Sequence, residues 1–314
     1  MVVLGIDIGR AQIKAGMVDE KGAILASRTI ATPPDLETFV PSLHSAIRWL
    51  LEATALPAGV GVGCKGIINS DSTQVEMLSG GLHYLQGQRL SELVGLPRDV
   101  PVFADNDARV ALAGEMVWGA ARGHHDVVML TLGTGVGGAV VTNGQLLRGH
   151  RGVAGHLGHL TIEPDGALCG CGNRGCLETV FSARAIEGEA WVAVHRGCAS
   201  SLTRLFRDKP QLATCRTVFQ AAREGDELAG SIVSRAIRRL GAAVAGLLHI
   251  FDPELVILGG PVADAGADLL QPLQEEVWNR SRGLLGREVP IVEQQVADKS
   301  GIVGAAGLVM SPRS

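Results

Sequence analysis

A chain of 314 residues, 46% hydrophobic and 19% charged, is long enough for two domains or one large α/β domain, and it has the balance of a globular protein rather than a disordered one. A net charge of −4 with no basic run argues against a nucleic-acid surface, because phosphate binding needs clustered Lys and Arg. No apolar stretch reaches membrane length; the nearest, Ala242 to Phe251, is too short and carries His249.

The opening "MVVLGIDIG" lacks the charged segment and cleavage site of a signal peptide, so the chain is expected in the cytoplasm. Val2 to Asp7 reads as an apolar strand, Gly9 turns the chain, Ile13 to Val18 is a second strand, and "DEKG" turns into a third. Helical spacing of Phe39, Leu43, Ile47, Leu50 and Leu51 predicts a helix over 36–54. "GVGVGCKGIINS" reads as one buried strand and "VPVFAD" as another, leading into an Ala-rich helix that starts near Asn106 and Asp107. Residues 127–147 repeat the opening pattern of strand, glycine turn and strand, and end in an Asn143-Gly144 hairpin signal. Ile8-Gly9 lines up with Leu132-Gly133, a faint internal repeat that suggests two related halves. Glu227 to Phe251 reads as a long apolar helix, "PELVILGG" as a strand entering a double-glycine turn, and "SGIVGAAGLV" as a small-residue helix. Such alternation means an α/β fold.

Cys169, Cys171 and Cys176 crowd one glycine-rich segment, with His159 ten residues before the first of them. Three thiolates and an imidazole make a complete tetrahedral set for structural zinc, with no open position for catalysis. Unrelated cysteines or a disulfide are the alternatives, but Cys169 and Cys171 are poorly spaced for a bridge. Cys64, Cys198 and Cys215 read as small buried hydrophobes. "LTLGTGVGG", Leu130 to Gly138, suits either a loop whose amides approach phosphate or a tight hairpin. Asp107, beside Asn106 at a strand-to-helix junction, suits either a helix cap or a general base.

Taken in order, the first glycine turn, "NDA…GE", "LGTGVGG", "GHLGH", "CGCGNRGCLE" and "DPELVILGG" resemble the ROK family of bacterial sugar kinases over nearly the whole chain. The resemblance implies a two-domain actin- and hexokinase-like (ribonuclease H-like) fold with the ligand cleft between domains. The smaller domain would be 1–116, with the helix of about 300–314 packing back on it, and the larger would be 117–299 with the zinc loop. It implies an ATP-dependent kinase that phosphorylates a hydroxyl, the 6-OH, of a hexose such as glucose. By that resemblance Asp107 is the base, and Asn106, His156, His159 and Glu178 face the sugar. Asp7, Gly9, Gly133, Thr134, Gly135, Gly137 and Gly138 would hold ATP phosphates, with Gly259 and Gly260 near the adenosine. His159, Cys169, Cys171 and Cys176 would hold Zn²⁺, and Mg²⁺ would accompany ATP. A homodimer is implied as well.

Three positions depart from the family pattern. The usual "DIGGTK" turn is "DIGRAQ", with Arg10, Ala11 and Gln12; the glutamate of "E-x-G-H" is His156; and Gly81 stands where an asparagine precedes leucine. Either the chain is an active kinase whose sugar is not plain glucose, or the altered phosphate turn leaves a sugar-binding protein with weak or no kinase activity. A repressor of the same family would need a DNA-binding segment ahead of the first strand, so that reading is set aside.

Overall fold

The computed structural model describes residues 1–78, 81–296 and 300–311. Along the chain come β1 (Val2–Ile8), β2 (Gln12–Asp19), β3 (Ile24–Ala31), α1 (Leu36–Ala53), β4 (Val60–Cys64), β5 (Ile67–Asn69), β6 (Gln74–Met77), α2 (Leu90–Val94), β7 (Val102–Asn106) and α3 (Asp107–Trp118). Next are β8 (Val127–Leu132), β9 (Val136–Thr142), β10 (Gln145–Leu146), α4 (Leu177–Val180), α5 (Ala183–His195), α6 (Leu202–Asp208), α7 (Cys215–Arg223) and α8 (Glu227–Phe251). β11 (Leu255–Gly259), α9 (Ala267–Leu285), β12 (Ile291–Glu293) and α10 (Ser300–Met310) complete the order. The chain divides into two compact units. One holds Met1–His125, Ala139–Gly155 and the described residues from Gln294 on; the other holds Asp126–Gly138 and His156–Glu293.

Two five-stranded sheets have the orders β3-β2-β1-β4-β7 and β10-β9-β8-β11-β12. In each, the third strand is followed by two parallel neighbours, β4 and β7 in one and β11 and β12 in the other. The faint repeat in the sequence is thus a repeat of topology. Parallel neighbours matter for function, because ligands of open α/β sheets gather at the carboxyl ends of such strands.

Local chemistry explains where the helices begin. Asp35 caps α1 by accepting Thr38 N–H at 2.8 Å, and Phe39, Leu43, Ile47 and Leu50 then turn inward against β1, β2 and β4. Asp226 caps α8 in the same way through Ala229 N–H at 2.9 Å. α10 packs on β1, β4 and α3. That approach needs Gly5 and Gly61, where a Cβ would collide with the carbonyls of Ile302 and Ala305.

Several regions differ from the sequence reading. The single strand expected over "GVGVGCKGIINS" breaks after Cys64. Gly66 has φ +100°, turns the chain into β5, and leaves no room for a Cβ beside Met77 O. Residues 183–223 and 267–285, given no element from sequence, fold as α5, α6, α7 and α9. In α9 the stripe of Leu269, Leu273 and Val277 is buried although Pro272 interrupts its pattern. Among the described residues no helix is long and apolar enough to cross a membrane.

Candidate functional site

In the second unit, one ligand atom from each of His159, Cys169, Cys171 and Cys176 lies within 4.8 Å of all the others. Cys169 Sγ is 3.6 Å from His159 Nδ1, and Cys171 Sγ is 3.7 Å from Cys176 Sγ. A tetrahedral zinc, with Zn–S of about 2.3 Å and Zn–N of about 2.0–2.1 Å, requires S···S edges of about 3.8 Å and N···S edges of about 3.6 Å. The two measured edges match those lengths, so the set fits the ion. Burial pushes the Cys176 thiol up to about 12, with Cys169 and Cys171 adding to it, so three thiolates here need a cation. Of the other cysteines, Cys64 and Cys215 are buried as expected, whereas Cys198 is exposed.

The loop that gathers these ligands is held by its backbone. Cys169 N–H donates to Asn173 O at 2.7 Å, and Ile162 N–H to Gly175 O at 2.7 Å. Gly175 has φ +64°, and any Cβ there would overlap Glu163 O. His159 meets the sulfurs through Nδ1, which leaves Nε2 on the far edge of the ring. The rings of His156 and His159 lie nearly parallel, 15° apart, with centroids 6.5 Å from each other.

Cys176 leads straight into α4, and Glu178 in that short helix reaches the glycine turn between β8 and β9. Its Oε2 accepts Val136 N–H at 2.9 Å and lies where Gly135 would carry a Cβ. Gly133 N–H donates to Gly135 O at 2.9 Å. Among the described residues the amides of Thr134 and Gly135 have no acceptor, and Thr134 is exposed. Backbone amides of such a turn are what an anionic oxygen can use. Gly137 and Gly138 lie within β9. β8 and β11 pair in parallel, Thr131 opposite Gly259, so the second glycine turn lies beside the first. There Val262 N–H donates to Leu132 O at 2.9 Å, and Pro261 packs over Gly133.

In the first unit, β1, β4 and β7 end in register at Ile8, Cys64 and Asn106. Asn106 caps α3, accepting Ala108 N–H at 3.0 Å, and its amide donates to Gly66 O at 2.8 Å. Asp107 stands exposed in the first turn of α3, with Oδ1 accepting Ala108 N–H at 2.9 Å. Gly9 N–H donates to Gln12 O at 3.0 Å, and Arg10, Ala11 and Gln12 are exposed. Two of the departures from the family pattern meet here: a Cβ on Gly81 would lie 3.5 Å from Arg10 Nε.

Burial raises Asp7 from 3.8 to about 6; the nearby Asp107 adds to the rise and Lys14 opposes it. Burial, then Asp107 and Asp7, push the Cys64 thiol up to about 12. Because the folded chain holds the Asp7 proton more tightly, stability falls as pH rises from 3.8 through about 6, and is level above that. Asp7→Asn is therefore expected to stabilise the ligand-free chain by about 1–3 kcal/mol at neutral pH and by nothing at pH below about 4. Denaturant melts at the two pH values read this; equal effects at both would contradict the burial penalty.

Sequence reasoning missed three buried charges around α3: Asp105, Arg109 and Glu115. Glu115 accepts Ala120 N–H at 2.7 Å, Gln295 N–H at 3.0 Å and Val296 N–H at 2.7 Å. The available signal was charge at positions 105, 109 and 115, which an otherwise Ala-rich segment has no packing reason to bury.

The sequence model of the ROK family matches residues 3–311. A glucokinase of Thermotoga maritima is 36% identical over 98% of this chain and 96% of its own. A glucokinase of Streptomyces coelicolor is 35% identical over 99% of this chain and 98% of its own. A crystal structure of a ROK family glucokinase from Streptomyces griseus, in complex with glucose and AMPPNP, superposes with a TM-score of 0.81 at 34% identity, covering 98% of this chain and 99% of that one. The fold is accordingly the two-domain actin- and hexokinase-like one, and the chain belongs to the ROK family.

Proposed function

We propose that this chain is an ATP-dependent sugar kinase, transferring the terminal phosphoryl group of Mg-ATP to the 6-OH of a hexose. The observation that carries the reading is the placement of Glu178, fixed by the cysteine loop at one end and bonded to the glycine turn at the other. Phosphoryl transfer needs positioning and charge neutralisation more than covalent chemistry. Thr134 and Gly135 N–H would meet phosphate oxygens, with Gly9, Gly133, Gly137 and Gly138 shaping the turns around them. Asp7 would face the nucleotide's cation, and Gly259 and Gly260 the adenosine. Mg²⁺, when bound with ATP, neutralises phosphate charge. Asp107 would take the proton from the attacking hydroxyl, leaving its oxygen to form the new P–O bond. Asn106, His156, His159 Nε2 and Glu178 would pair with the remaining sugar hydroxyls. Zinc would be structural, held by His159, Cys169, Cys171 and Cys176, fixing the tautomer of His159. A cytoplasmic location is part of this reading, and so is a homodimer, the latter on the family resemblance alone.

His156 decides which hexose. A carboxylate accepts two hydroxyl hydrogen bonds, whereas a neutral imidazole accepts one and donates one. A hydroxyl left unpaired costs about 1–3 kcal/mol, roughly ten- to a hundredfold. Glucose is thus expected to be a poor substrate relative to a hexose differing at the hydroxyls nearest His156. A coupled assay of hexoses, N-acetylhexosamines and deoxy sugars with Mg-ATP tests this, run on the wild type and on His156→Glu. The variant is expected to raise kcat/KM for glucose about tenfold or more. An unchanged glucose profile would remove His156 from the sugar contacts.

A further inference from the structure

Asp107 stands on the corner where β7 passes directly into α3. Two residues before it is Asp105 and two after it is Arg109, both fully buried. Arg109 Nη1 donates to Asp105 Oδ1 at 2.5 Å, closing a charged pair across the corner. The same Oδ1 accepts Asn106 N–H at 2.9 Å. Oδ2 accepts Arg148 Nε at 2.9 Å and Ser70 Oγ at 3.3 Å. Arg109 Nη2 meanwhile donates to Gly152 O at 2.6 Å and Ala154 O at 2.7 Å. One carboxylate and one guanidinium thus tie the strand end, the helix start and the segment 148–154 into a single corner.

A buried ion pair adds little stability over apolar residues of the same volume, so stability alone does not account for one at this place. Its geometry does: the planar fork of Arg109 spreads its donors in fixed directions over two nitrogens, one on Asp105 and the other on the carbonyls of Gly152 and Ala154. We propose that Asp105 and Arg109 are positioning residues that bracket Asp107 and hold its carboxylate for proton transfer, an inference that rests on the kinase reading above.

Asp105→Asn keeps the shape and the acceptor facing Arg109 and Asn106, but loses the charge and the acceptor facing Arg148 and Ser70. It is expected to lower kcat about tenfold or more, with KM for sugar and for ATP unchanged within about threefold, because a misplaced base slows the chemical step without touching ground-state binding. Arg109→Lys retains the charge without the fork and is expected to fall in the same direction. Circular dichroism and the thermal midpoint establish which variants fold. A kcat within about twofold of wild type in either folded variant, or a loss confined to KM, would overturn the positioning role. Failure of both to fold would overturn it too, since the pair would then serve the fold itself. The wild type, assayed alongside, separates the two claims: turnover with unaffected variants removes only the bracket, whereas no transfer by the wild type removes the kinase reading with it.

Discussion

Asp107→Asn is expected to lose at least about a hundredfold in kcat, the usual worth of a positioned general base, while sugar affinity stays within a few-fold. The amide retains the shape of the carboxylate and can still accept the Ala108 N–H, so α3 keeps its start. What it cannot do is hold a proton. The loss should therefore fall on the chemical step and leave KM in place. Steady-state kinetics with sugar and Mg-ATP varied separately read this. A variant keeping more than about a tenth of wild-type kcat would remove Asp107 as the base.

Cys176→Ala is expected to abolish stoichiometric zinc and to take sugar binding with it. Structural zinc sites contribute about 10–16 kcal/mol of binding free energy that is also folding free energy for the segment around them. Here that segment continues through Leu177 into Glu178, whose carboxylate holds Val136 N–H. Losing the anchor frees both the glutamate and the glycine turn it braces. Elemental analysis and calorimetric sugar titration measure the two effects together. Full zinc occupancy, or wild-type sugar affinity in a zinc-free variant, would contradict the coupling.

Much of this architecture could be read from the chain because local and global signals agreed. The β1–β3 strands, α1, α3, α8 and α10 each carry a regular apolar pattern, a cap or a glycine turn, and each folds as expected. Asn143 and Gly144 both have positive φ, as the hairpin signal between β9 and β10 requires. The cysteine cluster was legible for a different reason: ligand chemistry fixes residue types at short spacing, and the four ligand atoms converge. What stayed hidden depends on contacts distant in sequence. The bond from Glu178 to Val136 spans 42 positions, and the bond from Arg109 to Ala154 spans 45. No periodicity records either. Of the helices missed, α6 is a seven-residue helix without a side-chain cap, whereas α5 and α7 did carry signals, a Ser182 cap and a Thr214–Thr217 capping box ahead of buried positions at helical spacing.

The central claim is that this chain moves a phosphoryl group from ATP to a sugar hydroxyl. Phosphorus NMR of the wild-type protein with Mg-ATP and the best sugar of the panel tests it most directly. The expected result is one sugar 6-phosphate formed for each ADP released. Sugar that binds while ATP stays intact, or ADP that accumulates without a sugar phosphate, would contradict it.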